Sequence, residues 1–172
     1  MKRLLLPLLA ALALPPAVNA EKNIFYSTKE DLMTDITKVN IDLLSETTVL
    51  NSIGQEAQAR IGIRCNGNEL NTYIKTPTYN ADNLGVQLRW DKNEPKIAYW
   101  NYSVDGTAYF PYPRVTDNEL KFHKSFIKNM RNHESLVFGW SPYSTAKKAV
   151  KFDLKKLKPK FEQAIVDGCI FE

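Results

Sequence analysis

Arg60-Ile61-Gly62-Ile63-Arg64-Cys65-Asn66-Gly67-Asn68-Glu69-Leu70-Asn71-Thr72-Tyr73-Ile74-Lys75 is the stretch that decides the fold. Two extended runs flank Asn66-Gly67, a pair suited to a type I′ hairpin turn, whose two central residues both need positive φ. The register this implies pairs Cys65 with Asn68, Ile63 with Leu70, Ile61 with Thr72 and Ala59 with Ile74, all on one face. Arg64, Gly62, Glu69, Asn71 and Tyr73 fall on the other, so one side faces a core and the other is mostly polar. Cys65 lies on the core side. The second cysteine, Cys169, is close to the end of the chain, so a bridge between them pins the C-terminus to this hairpin.

Upstream, residues 1–20 read as an export signal. Lys2 and Arg3 precede the apolar run Leu4 to Leu14, and Val18-Asn19-Ala20 supplies small residues for cleavage. That run of about 11 residues is short of the roughly 20 that span a bilayer, so the product, residues 21–172, is expected to be cleaved, periplasmic or secreted, and not membrane-spanning. Without Lys2 and Arg3 the chain has 21 basic against 19 acidic residues. Whole-chain basicity is therefore no argument for nucleic acid. Export also favours a disulfide between Cys65 and Cys169 over a metal pair or a redox site.

Along the exported part, Glu21 to Thr37 reads as a lead-in with at most a short strand, and Val39, Ile41 and Leu43 mark the first clear one. Ser45 to Gln58 reads as a loop. After the hairpin, Val86, Leu88 and Trp90 alternate, and Lys96 to Val104 reads as one further strand. Asp105-Gly106 is a second two-residue turn, which sets Val104 opposite Thr107 and Tyr102 opposite Tyr109. Pro111-Tyr112-Pro113 ends the pairing. The period then changes to 3.6: Thr116 and Glu119 form a capping-box pattern, and Leu120, His123, Phe126, Ile127 and Met130 share one face of a helix over about 117–131. Leu136, Phe138 and Trp140, then Val150 and Phe152, mark two more strands. A closing helix starts near Lys158, because Pro159 is tolerated only in a first turn, and stops at Gly168 just before Cys169. The fold class is α+β: mainly antiparallel sheet, sandwich-like, with a helix after the fifth or sixth strand and a C-terminal helix.

No chemistry of a recognised kind is spelled out. Gly139-Trp-Ser-Pro-Tyr lacks the second glycine of a nucleophile elbow. His123 and His133 are ten residues apart, about 80° short of three helical turns, and so do not share a metal comfortably; no metal-ligand spacing and no cofactor motif is present. Ser103 with Asp105 and a histidine from elsewhere is the one imaginable hydrolase constellation, and the chain is read as non-enzymatic. The candidate binding surface is Trp100, Tyr102, Ser103, Asp105, Tyr109, Tyr112 and Arg114, with Tyr112 between its prolines as the exposed aromatic contact. Lys147, Lys148, Lys151, Lys155, Lys156, Lys158 and Lys160 form the densest charge run. Its first members, Lys147, Lys148, Lys151 and Lys155, are the candidates for an anionic wall polymer or phospholipid headgroups.

Asp35 ahead of Val39 to Leu43, Ile63-Arg64-Cys65, Trp100-x-x-Ser103-x-Asp105, Val137 to Pro142, Phe152-Asp153-Leu154 and the late Cys169 together resemble the VasI-like proteins, small exported proteins associated with type VI secretion loci. The resemblance spans roughly Phe25 to Phe171. Lys155-Lys156 and Ile170 depart from it, at positions where a glycine-containing turn and an aromatic are usual. It implies a periplasmic accessory protein with no established catalytic centre and the same Cys65–Cys169 bridge; the expected partner is a secretion-machinery or other envelope protein. A secreted inhibitor or cell-wall-binding module is the alternative.

Overall fold

A computed structural model describes residues 23–67, 69–81, 85–143 and 145–171. Residues 1–20, read as an export signal, lie outside them. Among the described residues, ten strands form two antiparallel sheets. The first has the order β1 (Ile24–Asp31), β2 (Ile36–Leu50), β3 (Glu56–Asn66), β4 (Glu69–Lys75), β8 (Ala108–Phe110), β7 (Asn101–Tyr102). The second has the order β10 (Lys148–Asp153), β9 (Ser135–Trp140), β5 (Val86–Trp90), β6 (Lys96–Ala98). Helix α1 (Glu119–Asn132) lies against β4, and α2 (Leu157–Val166), entered through the 3₁₀ turn Leu154–Lys156, lies against β2 and α1. The α+β class, the sandwich-like antiparallel sheets and the closing helix are as the sequence implies.

The β3–β4 hairpin keeps its expected faces in a different register. Cys65 is opposite Leu70, Ile63 opposite Thr72 and Ile61 opposite Ile74, with Asn66 opposite Glu69. Gly67, not Asn66, is the first turn residue, with φ +58°. The slip is by two residues along β4, an even number, so the apolar face stays apolar. On the outer face Tyr73 lies across Gly62, where a Cβ would come within 2.2 Å of its ring, and Arg64 stacks over the same ring at 5.0 Å. A glycine is needed there because the aromatic ring occupies the space.

Cys65 and Cys169 are joined, closing a loop with a sequence separation of 104. Gly168 takes φ +97° after α2, and the Cys169 N–H bonds back to the Ala164 carbonyl, which aims the sulfur at the hairpin. Tyr26 of β1 adds a second tie by hydrogen bonding to Asp167; burial, with that carboxylate beside it, pushes the phenol's pKa up.

Three local expectations are corrected. The lead-in is a full strand paired with β2 from Ile24↔Leu43 to Asp31↔Ile36, and β2 runs on to Leu50 instead of ending near Leu44. The stretch 96–104 is split between the two sheets as β6 and β7. Eight strands therefore precede α1, not five or six. The α1 cap is Asn118, whose Oδ1 accepts from the Lys121 N–H, while Thr116 accepts from Asn118 itself.

One core joins both sheets and both helices. Its centre is aromatic: Trp100 meets Phe126 edge-on at 5.1 Å and Phe138 at 5.8 Å, Tyr109 meets Phe138 at 5.7 Å, and Phe138 stacks on Trp140.

Candidate functional site

The candidate surface around the Asp105-Gly106 hairpin divides into interior and turn. Tyr109 is 2 % exposed and Tyr112 is 9 % exposed. Tyr112, expected as an exposed aromatic contact, packs face-on against Phe110 and edge-on against His123 instead. Trp100 and Tyr102 are half-buried against the core. Only Asp105 and Arg114 of the seven are exposed. Tyr102 pairs with Tyr109 as expected, which is what draws these aromatics inward.

Ser103 and Asp105 build the turn. The Ser103 Oγ donates to Asp105 and accepts from the Thr107 and Ala108 N–H groups. The Asp105 carboxylate also accepts from the Thr107 N–H and hydroxyl, and the Ser103 hydrogen bond leads these in holding its pKa below the usual carboxylate range. A serine whose lone pairs take two backbone donors is a turn lock. Neither histidine is beside it. His123 Nδ1 accepts from the Thr72 N–H at 3.0 Å, and burial depresses its pKa to about 4. His133 stacks on Trp90 and meets the Asp91 carboxylate at 2.8 Å. That contact, with the Glu134 and Ser135 N–H groups, lowers the Asp91 pKa and fastens the end of α1 to the end of β5.

Of the lysine run, Lys147, Lys148, Lys151 and Lys155 lie along β10 and at its two ends. The Lys148 ammonium donates to the Leu50 carbonyl at 2.6 Å, and Lys151 pairs with Glu46 at 3.1 Å. Lys147 precedes β10 and Lys155 lies in the 3₁₀ turn after it, both exposed. A strand edge spreads these charges along its length.

Cationic side chains converge elsewhere, in a cleft of about 860 Å³ between α1 and α2. It is lined by Lys121, Lys124, Lys128 and Arg131 from α1 and by Lys158 and Glu162 from α2, over Ile127 and Phe171. The four α1 cations sit at i, i+3, i+7 and i+10, which places them within an arc of about 80° and along roughly 15 Å of the helix. Glu162 is the one carboxylate among these residues, and Arg131 holds it at 3.1 Å. The spacing was legible in the sequence, on the flank of the helix away from Phe126 and Met130. The second wall of the cleft was not.

A second exposed feature lies at the loop end of the sandwich. Tyr79 is 62 % and Tyr143 73 % exposed, yet their loops are tied together: the Tyr143 N–H bonds to the Tyr79 carbonyl and the Trp140 indole N–H to Thr78. Two small grooves flank Tyr79 and share Asn51, Ser52 and Thr78 as walls.

Comparison of the chain with protein-family models, with curated proteins and with solved structures finds no match.

Proposed function

We propose that this chain is an exported, non-enzymatic binding protein of the cell envelope, acting in the periplasm or after secretion as an accessory to other envelope components, and that the α1–α2 cleft is its binding surface. The observation that carries this reading is the convergence of five cationic side chains from two helices on one concave surface with a single, already paired carboxylate. Such an arrangement focuses a positive field and attracts an anionic partner. The lining holds five cations, the amide of Asn132, the hydroxyl of Ser125, apolar groups and the Glu162 carboxylate, which Arg131 engages, and this supports a reading of binding. The Cys65–Cys169 bridge supports an oxidising compartment. The place in a type VI secretion locus rests on the VasI-like resemblance.

The test is localisation followed by crosslinking of the tagged protein in intact cells. The expected result is protein in the exported fraction, with an envelope component crosslinked to it whose recovery falls when Lys121 and Lys128 are changed to glutamate. Protein retained in the cytoplasm, or crosslinks indifferent to these changes, overturns the reading. The alternative of a wall-binding module or inhibitor is favoured by the exposed Tyr79 and Tyr143 on tied loops. Recovery of wall material that depends on those two tyrosines selects it.

A further inference from the structure

We infer that the α1–α2 cleft, with the aliphatic end of α2 beside it, docks on an anionic phospholipid surface. This rests on the reading of the cleft as the binding surface and names what it binds. On α2 the residues Lys158, Glu162 and Val166 recur every four positions and so share one helical stripe. Lys158 and Glu162 line the cleft, and Val166 continues the stripe beyond them with 81 % of its surface exposed. Ile165 and Ile170, 43 % and 51 % exposed, stand on either side of Val166 in the chain, and Phe171 returns to the cleft wall. Along α2, cationic and bare aliphatic side chains thus follow one another on one helical face.

That combination is what an interface of phosphates over acyl chains recognises: basic side chains meet the headgroups, and aliphatic ones enter the boundary below. A small soluble anion would use the charges and leave the aliphatics in water. Four of the five cations are lysines, flexible point charges suited to phosphates whose positions shift in a fluid plane, whereas arginine's planar fork suits fixed bidentate pairs. The one arginine is held by Glu162. No helix among the described residues is long and apolar enough to cross a membrane, so the contact is peripheral.

The experiment is co-sedimentation of the purified, oxidised protein with vesicles of phosphatidylcholine alone or mixed with phosphatidylglycerol. Binding is expected to the mixed vesicles only, weakening as salt is raised. Lys121→Gln with Lys128→Gln should lower partitioning by about 25-fold, at roughly fivefold per lysine. Val166→Ser with Ile170→Ser should lower it while leaving the salt dependence in place. All four positions are exposed, so far-UV circular dichroism should match the parent. The paired control Lys147→Gln with Lys155→Gln should bind as the parent does.

Equal binding to both vesicle types, undiminished binding by the Lys121/Lys128 variant, or loss of binding in the control variant overturns the inference. So does binding of inorganic pyrophosphate without binding of vesicles. If vesicle binding fails while the cell crosslinks still depend on Lys121 and Lys128, the lipid assignment falls and the envelope-binding reading stands. If both fail, both fall.

Discussion

At the helical end of the molecule a covalent bridge and a buried histidine hold α1 and α2 to the β3–β4 hairpin; at the loop end, backbone hydrogen bonds tie Thr76–Ala81 to the β9–β10 connection. The first arrangement tolerates a concentration of positive charge above it, since Cys65–Cys169 fixes α2 whatever the repulsion among the cleft lysines. The second exposes aromatic surface on backbone that has little freedom left. Charge is presented where the fold carries its disulfide, and apolar rings where backbone hydrogen bonds tie two loops together.

The largest expected effect tests the first half of that contrast. Replacing Cys65 and Cys169 by serine opens a loop with a sequence separation of 104, which the chain-entropy account values at about 4 to 5 kcal/mol. Denaturant unfolding of the double variant should show a loss of that order. Parent protein under reducing conditions should show the same, and a loss under about 1 kcal/mol would mean that packing alone fastens α2.

Next in size is the histidine. β4 is bonded to β8 only at Ile74 and Lys75, so Thr72 lies on an open stretch of edge, and His123 of α1 accepts its N–H. The ring must be neutral to accept. Its pKa is about 4 in the fold against an ordinary 6.5, so the unfolded chain takes up the proton first as pH falls. The contribution of the neutral ring should be complete well above pH 6.5 and be lost as pH falls from 6.5 to 4, by about 3 kcal/mol. Melting curves across that window check it, and a His123→Gln variant should flatten the dependence there.

How much of this the sequence carried depends on whether a feature is local. The hairpin faces, the Tyr102–Tyr109 pair, the buried α1 face of His123, Phe126, Ile127 and Met130, and Gly168 before Cys169 were all legible, because period and turn chemistry operate over a few residues. What decided the misread parts lies far away in the chain. Ser45 to Leu50 looks like loop because its polar residues answer to β10, where the Lys151 N–H meets Thr47. The division of 96–104 between two sheets is invisible to a period of two, which is the same in either. Tyr112 is interior because His123 and Phe110 cover it. The cleft was missed for the same reason: the stripe from Lys121 to Arg131 reads as an ordinary solvated face until Lys158 and Glu162 stand across from it.

At the loop end the effects should be smaller. Trp140→Phe removes the donor to Thr78 and shrinks a core side chain that is 2 % exposed, and a loss of about 2 kcal/mol is expected. Thermal unfolding measures it. A loss matching that of the disulfide variant would erase the difference between the ends.

Tyr109→Phe should do less still, and in the opposite direction. The phenol is buried, its hydroxyl has no partner among the described residues, and burial raises its pKa to about 12. Removing a buried hydroxyl that bonds to nothing returns its desolvation cost, so stability should rise by up to about 1 kcal/mol. The ring must stay, because it packs on Phe138 at 5.7 Å; Tyr109→Ala would instead lose the core contact. Comparing the two variants by denaturant unfolding separates ring from hydroxyl. A loss on Tyr109→Phe would mean that the hydroxyl is satisfied in solution.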